Sequence, residues 1–297
     1  SYYDQSICDC SSFLVESAGN YDHIYQYDGF GWGTANYSNS HNLKAANIFE
    51  ANGTSDQTLK AVSFYTLTDN QPYRIEVYRG VGSDPTDGML VSECTTTGIA
   101  GQNGYHTATL TTPVNLAAGE KFSVVVTYVQ SGSTNVYVPL EDSTDSSLNI
   151  SYGSRLGESY LFTKQKTSAP DSTMRWLDTA AVGYNNVCVK AFTSNTTGDV
   201  AELPSVVKTI KLGKGETYRI PDSYTSYTSN DPSLLTVDAS GKVTARRRGK
   251  SSILVSDGET SYLYRFNIKK APSKVKFKPA KNRKTVKKGR HFTLKVK

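Results

Sequence analysis

An all-β fold, built as β-sandwiches from many short strands, is predicted by three observations on this 297-residue sequence. Apolar residues recur with a period of two in run after run. The runs are separated by segments rich in Gly, Pro, Ser, Asp and Asn. No helical period is sustained in residues 1–199 beyond Leu43 to Glu50, which strand propensity fits as well. The composition agrees: apolar residues make up 37% and charged residues 20%, the balance of a folded chain and not a disordered one. The excess of Tyr over Phe, 20 against 10, suits twisted sheets joined by polar loops. No run approaches the roughly 18–20 consecutive apolar residues of a membrane-spanning helix.

Taken in order, the first strands are read at Lys60 to Leu67 and at Tyr73 to Tyr78. In the latter, Tyr73, Ile75 and Val77 share one face while Arg74, Glu76 and Tyr78 share the other. Tyr105 to Leu110, Lys121 to Val129, Val136 to Leu140 and Val187 to Phe192 follow, with Gly82-Ser83-Asp84-Pro85-Thr86-Asp87-Gly88 as a typical turn segment between strands. This many short strands over such a length implies a jelly-roll-type two-sheet β-sandwich. Met174, Trp176 and Leu177 form a short apolar strand that places Trp176 in the core.

Beyond residue 200 the strands are shorter: Val206 to Leu212, Thr217 to Ile220, Leu235 to Val237, Lys242 to Ala245, Ser251 to Val255 and Tyr262 to Ile268. Together they have the length of one small immunoglobulin-like β-sandwich. A second copy then begins, because Val275-Lys276-Phe277 and Lys288-Gly289-Arg290-His291-Phe292 echo Ile210-Lys211-Leu212 and Lys214-Gly215-Glu216-Thr217-Tyr218. It is incomplete at Lys297 and is too short to close a core.

Charge marks the same division. Residues 1–199 carry 10 Lys+Arg against 20 Asp+Glu, net −10, whereas residues 200–297 carry 23 against 7, net +16. Thr193 to Asp199 is a polar stretch without apolar periodicity, as expected of a linker. The expected organisation is therefore 1–19 as a preceding element and linker, 20–199 as the large sandwich, 200–270 as the small one, and 271–297 as the start of its repeat. The basic residues after 269 are spread along strands without an aromatic recognition motif, so nucleic acid is not an expected partner.

Catalytic chemistry finds no foothold. The four histidines occur in no His-Glu-x-x-His motif, and neither Gly-x-Ser-x-Gly nor a phosphate-binding glycine loop is present. His106 shares the face of Ala108 and Leu110, which reads as a core or edge histidine. Cys8 and Cys10 lack the Gly and Trp that flank a papain-type nucleophile, and Cys188, in a β-rich run, reads as a small buried apolar side chain. A bridge involving Cys94 stays open at this level. Glu141, Asp142 and Asp145 lie close enough in sequence to offer carboxylates to calcium, but they lack the alternation of a calcium loop, and no cofactor is expected.

Two resemblances can be stated on these residues. Asn230-Asp231-Pro232-Ser233, Ser240-Gly241-Lys242-Val243-Thr244-Ala245 and Arg248-Gly249-Lys250-Ser251 resemble the bacterial immunoglobulin-like group 2 family, from which the basic run Arg246-Arg247-Arg248 departs. Across residues 20 to 193, seven segments in order are similar to the lectin-like domain that follows papain-like cysteine peptidase domains in Firmicutes. They include Tyr25-Gln26-Tyr27-Asp28-Gly29, Ala45-Ala46-Asn47-Ile48-Phe49, Gly119-Glu120-Lys121-Phe122 and Cys188-Val189-Lys190-Ala191-Phe192. Ser1 to Ile7 resembles the closing strand of such a peptidase.

The resemblance implies a non-catalytic region of a secreted or cell-surface protein, tied to an upstream peptidase domain in the same polypeptide and binding a glycan or cell-wall polymer. The competing expectation is a purely structural stalk that packs on the peptidase. For sugar binding an exposed aromatic platform with hydrogen-bonding neighbours is needed, and the loop from Tyr25 to Asn42 holds Tyr27, Asp28, Trp32, Asn36, Tyr37 and Asn39. Gly31 and Gly33 on either side of Trp32 let the backbone turn and project the indole.

Overall fold

The computed structural model describes residues 14–271, apart from 18, 133–134, 143, 146–149, 152, 165–168, 171–172 and 197–198. The expected closing strand at Ser1 to Ile7, Cys8, Cys10 and the truncated repeat after Ala271 lie outside the described residues.

The chain is all-β. Its larger part stacks two antiparallel sheets. One runs in the order His23–Tyr25, Val189–Asn195, Gln57–Thr66, Gly104–Leu116. The other is seven-stranded and runs Arg175–Asp178, Ser159–Thr163, Leu43–Glu50, Lys121–Tyr128, Gln71–Arg79, Met89–Leu90, with Thr96–Ala100 also paired to Gln71–Arg79. Alternation builds the core between them: Val62, Phe64, Ile75, Val77, Val124 and Val126 are all 0% exposed and belong to one cluster. His106, on the inward face as its spacing predicts, packs against Phe64 and hydrogen-bonds Thr66 Oγ1 at 3.0 Å. Cys94 and Cys188 are free and buried.

Leu43–Glu50, ambiguous by sequence, is a strand, because its register with Lys121–Tyr128 sets Ala45 opposite Val126 and Phe49 opposite Phe122 in the core. Gln71–Arg79 differs from the half-buried reading. Ile75 and Val77 point inward as expected, but Glu76 and Tyr78 on the other face are buried too. A second apolar cluster explains this: Tyr78, Val81, Tyr160, Phe162, Met174 and Trp176 pack together on the outer face of the seven-stranded sheet.

The smaller part has its own core, in which Leu234, Leu235, Val243, Ile253 and Val255 are 0% exposed. Ser205–Gly213 pairs parallel with Ser261–Lys269, followed by Gly249–Ser256 and Ser226–Ser229, opposite a sheet of Thr217–Arg219, Lys242–Ala245 and Leu235–Val237. Its turns follow from side-chain chemistry. Asp238 Oδ1 accepts from the Ser240 and Lys242 amides at 2.9 and 3.0 Å, and Gly241 takes the left-handed φ of 75° that closes the turn into Lys242–Ala245.

The segment from Gly80 to Gly88 does more than connect strands. Asp84 to Gly88 are buried because the small unit docks on them. Asn230 Nδ2 donates to the Gly88 carbonyl at 2.5 Å, Ser252 Oγ donates to the same oxygen at 2.7 Å, and Arg265 Nε donates to Asp87 O at 3.1 Å. Lys250 Nζ reaches Ser83 Oγ at 2.5 Å, and Leu203 packs on Gly80. On the other side Ser123 Oγ donates to Pro85 O, which holds the loop against the seven-stranded sheet.

Candidate functional site

The stretch read as one loop from Tyr25 to Asn42 contains a strand, Thr34–Ser38, paired antiparallel with Val136–Leu140 to form a separate two-stranded ribbon. Pairing continues past its start, since the Gly33 amide donates to Leu140 O at 3.0 Å. This ribbon sorts the six sequence-predicted residues into different places.

Two of the six are engaged in the interior. Asp28 is 0% exposed, and its Oδ2 accepts from Lys190 Nζ at 2.6 Å, while the same ammonium donates to the Asp28 carbonyl at 2.9 Å. Burial raises the carboxyl's pKa and the Lys190 hydrogen bond opposes that rise. An ion pair so enclosed offers a ligand nothing; it anchors the loop to the Val189–Asn195 strand. Tyr27 is half-buried, stacks on Phe49 with ring centroids 5.1 Å apart, and donates to Ile48 O at 2.6 Å. Its hydroxyl and ring are both committed to the interior, and burial pushes the phenol up to about 12.

The other four lie nearer solvent. Trp32 is 47% and Tyr37 67% exposed, and Asn39 is exposed in the turn that follows the strand. Asn36 is half-buried, and strand alternation puts it on the opposite face of the ribbon from Tyr37. Tyr37 stands directly opposite Tyr137, the rings 6.2 Å apart, and Asn135 Nδ2 donates to Tyr137 Oη at 3.2 Å. Asn135 also lines a shallow pocket of about 190 Å³ with Thr68, Asp69, Asn70 and Gln71. The site is thus an aromatic pair with an amide beside it and a polar hollow next door. Tyr137 and Asn135 were missed by sequence reasoning, although the Val136-Tyr137-Val138 alternation turns Tyr137 away from the core and was there to be used.

Of the acidic trio, Glu141 and Asp142 lie in different surroundings. Glu141 is buried, accepts from Asn186 Nδ2 at 3.2 Å and from the Phe30 and Gly29 amides, whereas Asp142 is exposed beside Gly33. The side chain of Asp145 lies outside the described residues. Among the described residues no three His, Cys, Asp or Glu side chains gather where a metal ion could be held.

No curated protein matches the chain. An intimin immunoglobulin-like domain model matches residues 222–259, in the small unit. Among solved structures, the clostridial cysteine protease Cwp84 after propeptide cleavage is similar at 20% identity and a TM-score of 0.46, covering 59% of this chain and 40% of that one. The cysteine protease and lectin-like domains of Cwp84, a surface layer associated protein of Clostridium difficile, are similar at 20% identity and a TM-score of 0.47, covering 59% of this chain and 36% of that one. The chain therefore spans well under half the length of these structures. The lectin-like domain model matches residues 24–193, nearly all of the large sandwich and more than half of the sequence, so the chain belongs to the lectin-like domain family.

Proposed function

We propose that this chain is the non-catalytic, carbohydrate- or cell-surface-binding region of a secreted bacterial cysteine peptidase, with the small β-unit as a spacer. The observation that carries the reading is the Tyr37–Tyr137 pair, Tyr37 exposed and Tyr137 half-buried, with the Asn135 amide against it. Apolar ring faces accept the C–H face of a sugar, an amide supplies direction, and a shallow platform of this kind gives weak single-site affinity. The peptidase partner and the cell-surface location rest on the likeness of the seven sequence segments.

Titration with a panel of neutral oligosaccharides tests the proposal. Tyr37→Ala and Tyr137→Ala are expected to weaken binding at least about tenfold, in line with the loss of one aromatic contact. Melting should be nearly unchanged for Tyr37→Ala, since that ring is mostly exposed. The purely structural reading has its own support in exposed apolar side chains at Leu14, Val15, Ile24 and Phe30, which suit a seam with another domain. It predicts that no oligosaccharide binds and that an added peptidase domain shields Trp32 from a neutral quencher.

A further inference from the structure

A cleft of about 450 Å³ opens where the small unit meets the outer face of the seven-stranded sheet. Its floor is formed by Tyr160 and Trp176, which are 5% and 8% exposed. Five cationic side chains line it from three separate strand ends. Arg175 comes from the large sandwich, Arg248 and Lys250 from the start of Gly249–Ser256, and Lys269 and Lys270 from the end of Ser261–Lys269. Only two acids share the lining, and both are occupied. Asp178 accepts from the backbone amides of Gly157, Ala180 and Ala181 at 2.8, 3.1 and 3.3 Å. Asp84 is bound to Thr86, and burial pushes its carboxyl up to about 7, so its negative charge is only partial near neutrality.

The folding of the two units onto each other thus gathers like charges. Arg175 has its pKa lowered by desolvation and then by the Arg248 charge facing it from the other unit. Cations gathered on one concave surface make it attractive to an anion. Of the run Arg246-Arg247-Arg248, which departs from the immunoglobulin-like pattern, the last member lines the cleft, whereas Arg246 Nε donates to Thr236 Oγ1 at 3.1 Å.

The geometry points to this cleft as a binding site for an anionic polysaccharide, a chain of sugar or polyol units bearing phosphodiesters or carboxylates. The volume holds about one or two such units, and five cations line it. Nucleic acid fits less well, because single strands bind through bases stacked on exposed aromatic rings and here both rings are buried. The inference stands apart from the Tyr37–Tyr137 platform and does not depend on it.

The test is titration of the whole chain with poly(glycerol phosphate) and with polygalacturonate at low and at 150 mM salt, using dextran as the neutral control and oligothymidylate as the nucleic-acid arm. Binding of one or both anionic polymers is expected, weakening as salt rises, with none to dextran. Arg175→Ser/Arg248→Ser should reduce affinity at least tenfold. Lys269→Ser/Lys270→Ser should reduce it severalfold, and because both lysines are exposed the fold is kept. Lys208→Ser/Lys211→Ser, which removes two exposed cations outside the cleft lining, should leave affinity unchanged. The proposal is overturned if neither anionic polymer binds, if the Lys208/Lys211 variant loses as much as the cleft variants, or if oligothymidylate binds as tightly as the polysaccharides.

Discussion

Asp84 is a carboxyl closed inside the joint between the two units, 7% exposed, with the Asp87 carboxylate nearby and Lys250 as its partly compensating cation. Burial first, and Asp87 second, push its pKa from 3.8 to about 7. The sign follows directly. Between pH 4 and 7 the folded chain keeps the proton that the unfolded chain has released, so this residue's contribution to stability is most favourable below pH 4, falls as pH rises through that window, and is constant above about 7. The gap corresponds to about 4 kcal/mol across the window. Asp84→Asn keeps an oxygen acceptor for the Thr86 amide and hydroxyl, at 3.3 and 3.2 Å in the parent, and cannot ionise. The variant should therefore match the parent near pH 4 and exceed it by a few kcal/mol at pH 8. Urea unfolding of both chains at pH 4, 5, 6, 7 and 8 measures the difference. A difference that does not change with pH, or a variant less stable than the parent at pH 8, would refute the argument and show that Lys250 holds Asp84 ionised.

Lys190→Met should destabilise the large sandwich by about 3–5 kcal/mol at pH 7, because it leaves the Asp28 carboxylate buried without its cation. The double variant with Asp28→Asn should recover much of that loss in the same urea assay. Gly88→Ala should cost about 1–3 kcal/mol and loosen the joint, since a Cβ there would lie 2.3 Å from the Arg79 carbonyl oxygen. Protease cutting between the units, measured against global unfolding, should rise disproportionately in that variant.

The sequence by itself determined the all-β class, most strand positions and the inward face of each strand, because those depend on period-two alternation and on turn residues close in the chain. Ile75, Val77 and His106 point where the pattern says they should, and Val136–Leu140, Leu235–Val237 and Lys242–Ala245 have the bounds read from the sequence. Seven segments in order also made the lectin-like family legible.

Only the tertiary structure decided which polar residues meet. Asp28 reads as a loop carboxylate until Lys190, 162 positions away, closes on it. Tyr37 gains its partner Tyr137 only through the pairing of strands about one hundred residues apart. Gly82 to Gly88 has the composition of a solvated turn, yet Asp84 to Gly88 are buried by a unit that begins more than a hundred residues later. Local sequence carries alternation and turn chemistry, whereas long-range contacts depend on how complete sheets stack. For that reason the joint, the aromatic pair and the basic cleft were all out of reach of the sequence.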